Sequence, residues 1–118
     1  MRIVIETIPH DQQRYDTVGD WRKIGDDKVI SVSNMGNELY EFLVGIHELI
    51  EMYLCESYGI KEEEVDYFDF ANQDHPDPGS IPTAPYYRQH LIATIIEKMV
   101  ASELDINWEE YEEAIENL

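Results

Sequence analysis

Positive charge is scarce in this chain. Its 118 residues hold 8 Lys+Arg against 26 Asp+Glu, for a formal net charge of -18. Such a surface repels phosphate backbones and anionic lipid, which excludes ordinary nucleic-acid binding and adhesion to a membrane surface. Long apolar runs are missing too, so no membrane-spanning helix is expected. The opening MRIVIETIPHDQQRYD has no long apolar stretch and no small-residue cleavage site, so it does not read as a signal peptide. Cysteine is nearly absent. Cys55 stands alone, makes no internal disulfide, and suits the reducing cytoplasm expected of this chain. No phosphate-cradling glycine loop and no GxSxG turn occur. Neither His47 nor His90 belongs to a Glu-x-x-His pair, so a di-iron helix bundle lacks its motif.

Apolar residues, by contrast, are plentiful. They make up 43% of the chain, with eight tyrosines and two tryptophans among them, too many for an acidic disordered segment. The length fits a single domain, residues 1–118, with a core that needs no disulfide staples.

Arg2–Ile8 is rich in β-branched residues and predicts a strand. Trp21–Ile24 and Val29–Ser33 flank Gly25-Asp26-Asp27 and predict a hairpin. Asn37 is placed to cap a helix from about Glu38 to Tyr58, ending at Gly59. Steps of 100° put Leu39, Phe42, Leu43, Ile46, Leu49, Ile50, Tyr53 and Leu54 in one apolar stripe, expected to face the core. Val65–Phe70 reads as a short strand or one helical turn. Asn72–Pro82 is a proline-punctuated loop. Thr83 and Pro85 suit the start of a second helix reaching about Glu103. Asn107 then caps a third, with Glu110 in capping-box position and Ile106 and Tyr111 spaced as a hydrophobic staple. The expected fold is α+β: a small antiparallel N-terminal sheet of about three strands packed against three helices.

The chemistry concentrates on two of these helices. His47 and Glu51 stand at i and i+4, one above the other, and both residue types ligate divalent metals. They fall at the margin of the apolar stripe, with Glu48 farther out. The plain alternative is a boundary histidine ion-paired to Glu51. On the next helix His90 and Glu97 share a face with the small residues Ala93, Thr94 and Ala101, which admit another helix or a ligand closely. The other face carries Leu91, Ile92, Ile95, Ile96 and Met99. If the two helices pack, His47, Glu51 and His90 supply three ligands and leave a coordination position open, the pattern of a catalytic zinc site. Glu48 is then the candidate general base. Glu97 is either a fourth ligand or an acceptor for a histidine N–H.

Other residues rank below these. Asp66 and Asp69 are reserve ligands or loop caps. His75 and His10 read as loop and strand-end histidines, and Cys55 as a buried thiol. Tyr86 and Tyr87 line a pocket or simply pack.

His47-Glu48-Leu49-Ile50-Glu51, on a helix that follows a small sheet, resembles the first half of a zincin metallopeptidase core. Glu51 stands where the HExxH motif of that family has its second histidine. The resemblance implies a zincin-like minimal core with His47 as ligand, Glu48 as base and Glu51 as substitute ligand. YEFLVGIHELIEMYLC (Tyr40 to Cys55), together with VDYFDF, YYRQHLIATIIEKMVASEL and Gly19-Asp20-Trp21, is similar to a family of short bacteriophage and prophage proteins. That similarity implies a compact phage-encoded protein of the bacterial host cytosol and carries no activity with it.

Two functions follow as expectations. One is a divalent-metal-binding protein, the metal being zinc, acting as a hydrolase or peptidase on an unknown substrate. The other is a non-catalytic acidic protein that binds or inhibits a basic host or defence protein. The first wants a few carboxylates converging inward, and the second wants them in rows on the surface.

Overall fold

The computed structural model describes all 118 residues. Three strands come first: β1 (Ile3–Ile8), β2 (Gly19–Ile24) and β3 (Asp27–Ser33). Four helices follow: α1 (Glu38–Ser57), α2 (Glu62–Ala71), α3 (Tyr87–Glu103) and α4 (Trp108–Glu116). The fold is α+β, and no helix is long and apolar enough to cross a membrane.

The sheet is mixed rather than antiparallel. Its order is β1-β3-β2, with β1 parallel to β3 and β2 antiparallel to it. The β2–β3 hairpin turns at Gly25, which takes the left-handed φ of 60°. The parallel pair follows from the path between β1 and β2. That segment crosses one face of the sheet to reach the far edge, held by Gln13 Nε2 donating to the Ser31 and Val18 carbonyls at 3.1 and 3.3 Å. His10 Nδ1 lies 2.8 Å from Ser33 Oγ on the same face. Both faces of β3 are therefore covered. Ile30 and Val32 pack into the core, while Ser31 and Ser33 are buried under the crossing segment.

α1 lies on the other face. Asn37 caps it, its side chain accepting from the Tyr40 N–H at 3.1 Å. Gly45 lets the helix come close to the sheet: a Cβ there would sit 3.0 Å from Ile5 Cγ2. VDYFDF belongs to a fourth helix, α2. Glu62, Glu63 and Glu64 occupy its first turn, where the helix dipole favours acids, and Val65 and Asp69 lie one turn apart on its buried side.

α3 starts at Tyr87, not after Thr83, and has no side-chain cap. The ring of Pro85 disfavours helical backbone at the residue before it, so Ala84 closes a turn instead. Asn107 caps α4 as its position predicts, accepting from the Glu110 N–H at 3.0 Å.

Two helix faces differ from their apolar patterns. On α1 the buried side is Leu43, Val44, His47, Glu51, Met52 and Cys55, while Leu39 and Phe42 are about half exposed. On α3 the buried side is Gln89, Ala93, Glu97 and Ala101, and Leu91, Ile95 and Met99 face outward. Both helices are turned so that polar side chains meet between them. The fully buried Ala93 keeps that approach close. Ala93→Leu is expected to cost about 1–3 kcal/mol by overpacking. Leu91→Ala, on the exposed face, should stay within about 0.5 kcal/mol. Urea unfolding of the two variants checks the contrast.

Candidate metal centre

The turned faces of α1 and α3 bring His47, Glu51 and His90 together. His47 and Glu51 are buried and His90 nearly so. His47 Nε2 lies 3.1 Å from Glu51 Oε2 and 3.2 Å from His90 Nδ1. His90 Nδ1 lies 2.8 Å from the same Glu51 oxygen. The three atoms form a nearly equilateral triangle. Ligand atoms ~2.0–2.1 Å from a tetrahedral zinc stand roughly 3.3–3.4 Å apart, so the triangle is close in size to one face of such a site.

The far side of each ligand is held by a specific partner. Glu97 Oε1 sits 2.7 Å from His47 Nδ1, and Tyr111 donates its hydroxyl to Glu97 Oε2 at 2.5 Å. Asp77 Oδ2 sits 3.2 Å from His90 Nε2. Trp21 Nε1–H donates to Glu51 Oε1 at 3.1 Å, leaving Oε2 to the triangle. A carboxylate only accepts, so the ring nitrogens beside Glu97 and Asp77 must carry protons. With both rings neutral, the lone pairs of His47 Nε2 and His90 Nδ1 then point at Glu51 Oε2. In that state three acceptors converge on one point, and either a cation or a proton on each ring must lie between them.

Of the two roles its spacing allows, Glu97 takes the position of an acceptor for a histidine N–H, outside the group of His47, Glu51 and His90. Seven residues, about two turns, beyond His90, it reaches Nδ1 of His47 and accepts the N–H there. Glu97→Gln should keep the metal but weaken it about 10–100-fold, because the tautomer and orientation of His47 are no longer enforced. Zinc titration against a competing chelator measures the change.

Charge in the cluster follows from the same neighbours. Burial works against an imidazolium at His47, but hydrogen bonds to Glu51 and Glu97 outweigh it and raise its pKa well above the usual value. His90 is pushed up to about 10 against the same burial, by Asp77 and Glu51. Burial would raise Glu51, yet the two histidines hold it at about 2. Without a metal, protons take the place of the cation.

A cavity of about 420 Å³ opens over the triangle. Glu48 lines it, largely shielded from solvent and with no hydrogen-bond partner in the protein. Burial and the neighbouring Glu51 charge raise its pKa well above the carboxylate range. Gly19 makes room for it: a Cβ there would meet Glu48 Cγ and Oε1 at 2.8 Å. Gly79 does the same for His90, since a Cβ would lie 2.5 Å from its ring.

The remaining sequence candidates lie outside the triangle, some of them on the cavity wall. Asp66 and Asp20 share the guanidinium of Arg14, with N–O distances of 2.7–3.1 Å, tying the crossing segment to β2 and α2. Asp69 accepts from Tyr15 at 2.9 Å and from Tyr86. Cys55 is buried one turn beyond Glu51 but is not part of the close group, its thiol pushed up to about 12 by burial. His75 is exposed and His10 pairs with Asp16. Asp77, Trp21 and Tyr111 are the partners that sequence reasoning missed. Asp77 falls in a loop between prolines, and nothing local marks it as facing His90.

The chain matches no protein-family model, no curated protein and no solved structure.

Proposed function

We propose that the chain is a divalent-metal-binding protein, with zinc as the ion, and that the centre serves hydrolysis. The triangle of His47 Nε2, Glu51 Oε2 and His90 Nδ1, with edges of 2.8–3.2 Å, carries this reading. Two imidazoles and one carboxylate are a donor set suited to zinc, and three protein ligands leave a position facing the cavity. An ion held there supplies Lewis acidity to a water or carbonyl oxygen. On this reading Glu48, which lines the cavity, takes a proton and returns it, and its raised pKa brings that exchange toward neutral pH. With Glu97 and Asp77 accepting the protons on His47 Nδ1 and His90 Nε2, each ring offers its other nitrogen to the ion once the proton facing Glu51 is given up.

The buried positions of Glu51 and Glu97 favour this over a purely acidic interaction surface, whose carboxylates would all face solvent. Glu48→Gln separates the roles. It should keep one zinc per chain and lower turnover about 10²–10⁴-fold on whichever amide or ester substrate the wild type cleaves. Equal turnover would remove Glu48 from the chemistry.

A further inference from the structure

The walls of the cavity differ from its floor. They hold no lysine and no arginine; Arg14 stands behind them, already committed to Asp20 and Asp66. Two positive charges from a divalent ion would face the carboxylates of Glu51, Asp69, Asp77 and Glu97, so the cavity stays negative when loaded. Tyr15, Trp21, Tyr86, Trp108 and Tyr111 supply aromatic rings to the same walls. Acids and aromatic rings with no competing cation form the environment that holds an ammonium or guanidinium.

Asp69 is the anchor best set apart from the metal ligands. It is 8% exposed and lines the cavity. Tyr15 and Tyr86 each give one of its oxygens a single hydrogen bond, which leaves a lone pair on each free. The Tyr86 ring, 6.1 Å from the His90 ring, separates this carboxylate from the triangle by one tyrosine side chain. Glu48 faces the same cavity, partly exposed and with no hydrogen bond inside the protein.

We infer that the cavity takes a substrate bearing a cationic group, an ammonium or guanidinium, and that Asp69 anchors that group while the bond to be cleaved lies over the triangle. The inference rests on the hydrolytic metal centre proposed above. It excludes phosphoesters and acidic peptides, which the walls repel.

Zinc-loaded protein is titrated with Nα-acetyl-arginine amide, its neutral isostere Nα-acetyl-citrulline amide, and Nα-acetyl-glutamate amide, following the fluorescence of Trp21 and Trp108. The arginine probe is expected to bind at least about 10-fold more tightly than the citrulline probe, from one charged hydrogen bond plus aromatic contact, and the glutamate probe not at all. Asp69→Asn should bring the arginine and citrulline probes to within about twofold of each other while zinc stays at one per chain. Tyr15→Phe keeps the carboxylate and removes one competing donor, so it should increase the preference; a decrease contradicts the role of Asp69. Equal binding of arginine and citrulline probes with one zinc bound overturns the cation reading alone. Absence of zinc from the wild type overturns the metal reading whatever the probes do.

Discussion

Replacing His47 with alanine should take bound zinc from one ion per chain to none. The variant loses one of three donors and also releases Glu97, whose Oε1 then has no imidazole to hold. Loss of a direct ligand therefore exceeds the about 10–100-fold expected for the outer partners. The same substitution leaves two buried carboxylates, Glu51 and Glu97, short of a partner. Breaking a buried pair in this way costs about 3–5 kcal/mol, so the metal-free variant is also expected to be less stable. His90→Ala gives the companion result with a smaller penalty, because Asp77 is exposed and regains water. The readout that isolates the metal is the response to added zinc. At free zinc about 100 times its dissociation constant, the wild type gains about 2.7 kcal/mol against unfolding. Neither histidine variant should gain any.

The second large effect is an opposed response to pH. Without metal, His90 titrates at about 10 in the fold and near 6.5 when unfolded, and His47 is raised in the same direction. A group whose pKa is raised by folding stabilises the fold fully below its unfolded value. That contribution fades as the pH climbs toward the folded value. Metal-free protein should therefore lose stability from about pH 6.5 up to about pH 10. Glu51 acts at the other end. Held at about 2, it contributes above the ordinary carboxylate range and is lost as the pH falls through about 2. On the proposed reading zinc should reverse the first trend. Both imidazoles must give up the proton facing Glu51 to bind it, so affinity rises with pH across the same window. Zinc's stabilisation should grow between pH 6 and 9 while the metal-free protein weakens. Calorimetry in buffers of different ionisation enthalpy should show up to two protons released per ion near neutrality. A zinc affinity independent of pH would contradict protonated histidines in the empty centre.

Much of the centre was legible because helices impose a local period. His47, Glu48 and Glu51 fall within five residues of one helix, and His90 and Glu97 lie seven apart on another. Each face could be drawn without knowing the fold. The small residues on the face shared by His90 and Glu97 pointed to the close approach that the buried Ala93 and Ala101 make. What failed was the assumption that the most apolar stripe faces inward. Leu91, Ile95 and Met99 of α3 face outward, since the polar side can bury itself only when each group has a partner, and those partners sit on α1. The pairing was not in either helix alone.

The strands show the same limit. The β-branched content of Arg2–Ile8 identified β1, but its parallel pairing depends on Gln13 and His10 lying across β3. That is a tertiary fact with no local signature. Asp77, Trp21 and Tyr111 are of this kind too: each is ordinary in its own segment and becomes specific only by touching a ligand or its holder. The acidity divides along these lines. Glu109, Glu110, Glu112 and Glu113 solvate the outer side of α4, whereas Glu51 and Glu97 are buried in the centre.

The most direct test of the metal centre is the zinc K-edge absorption spectrum of the zinc-loaded protein. The expected shell is four nitrogen and oxygen ligands at ~2.0–2.1 Å, two of them imidazoles, with no sulfur. A shell lacking imidazole, a sulfur ligand from Cys55, or no stoichiometric zinc to measure would contradict it.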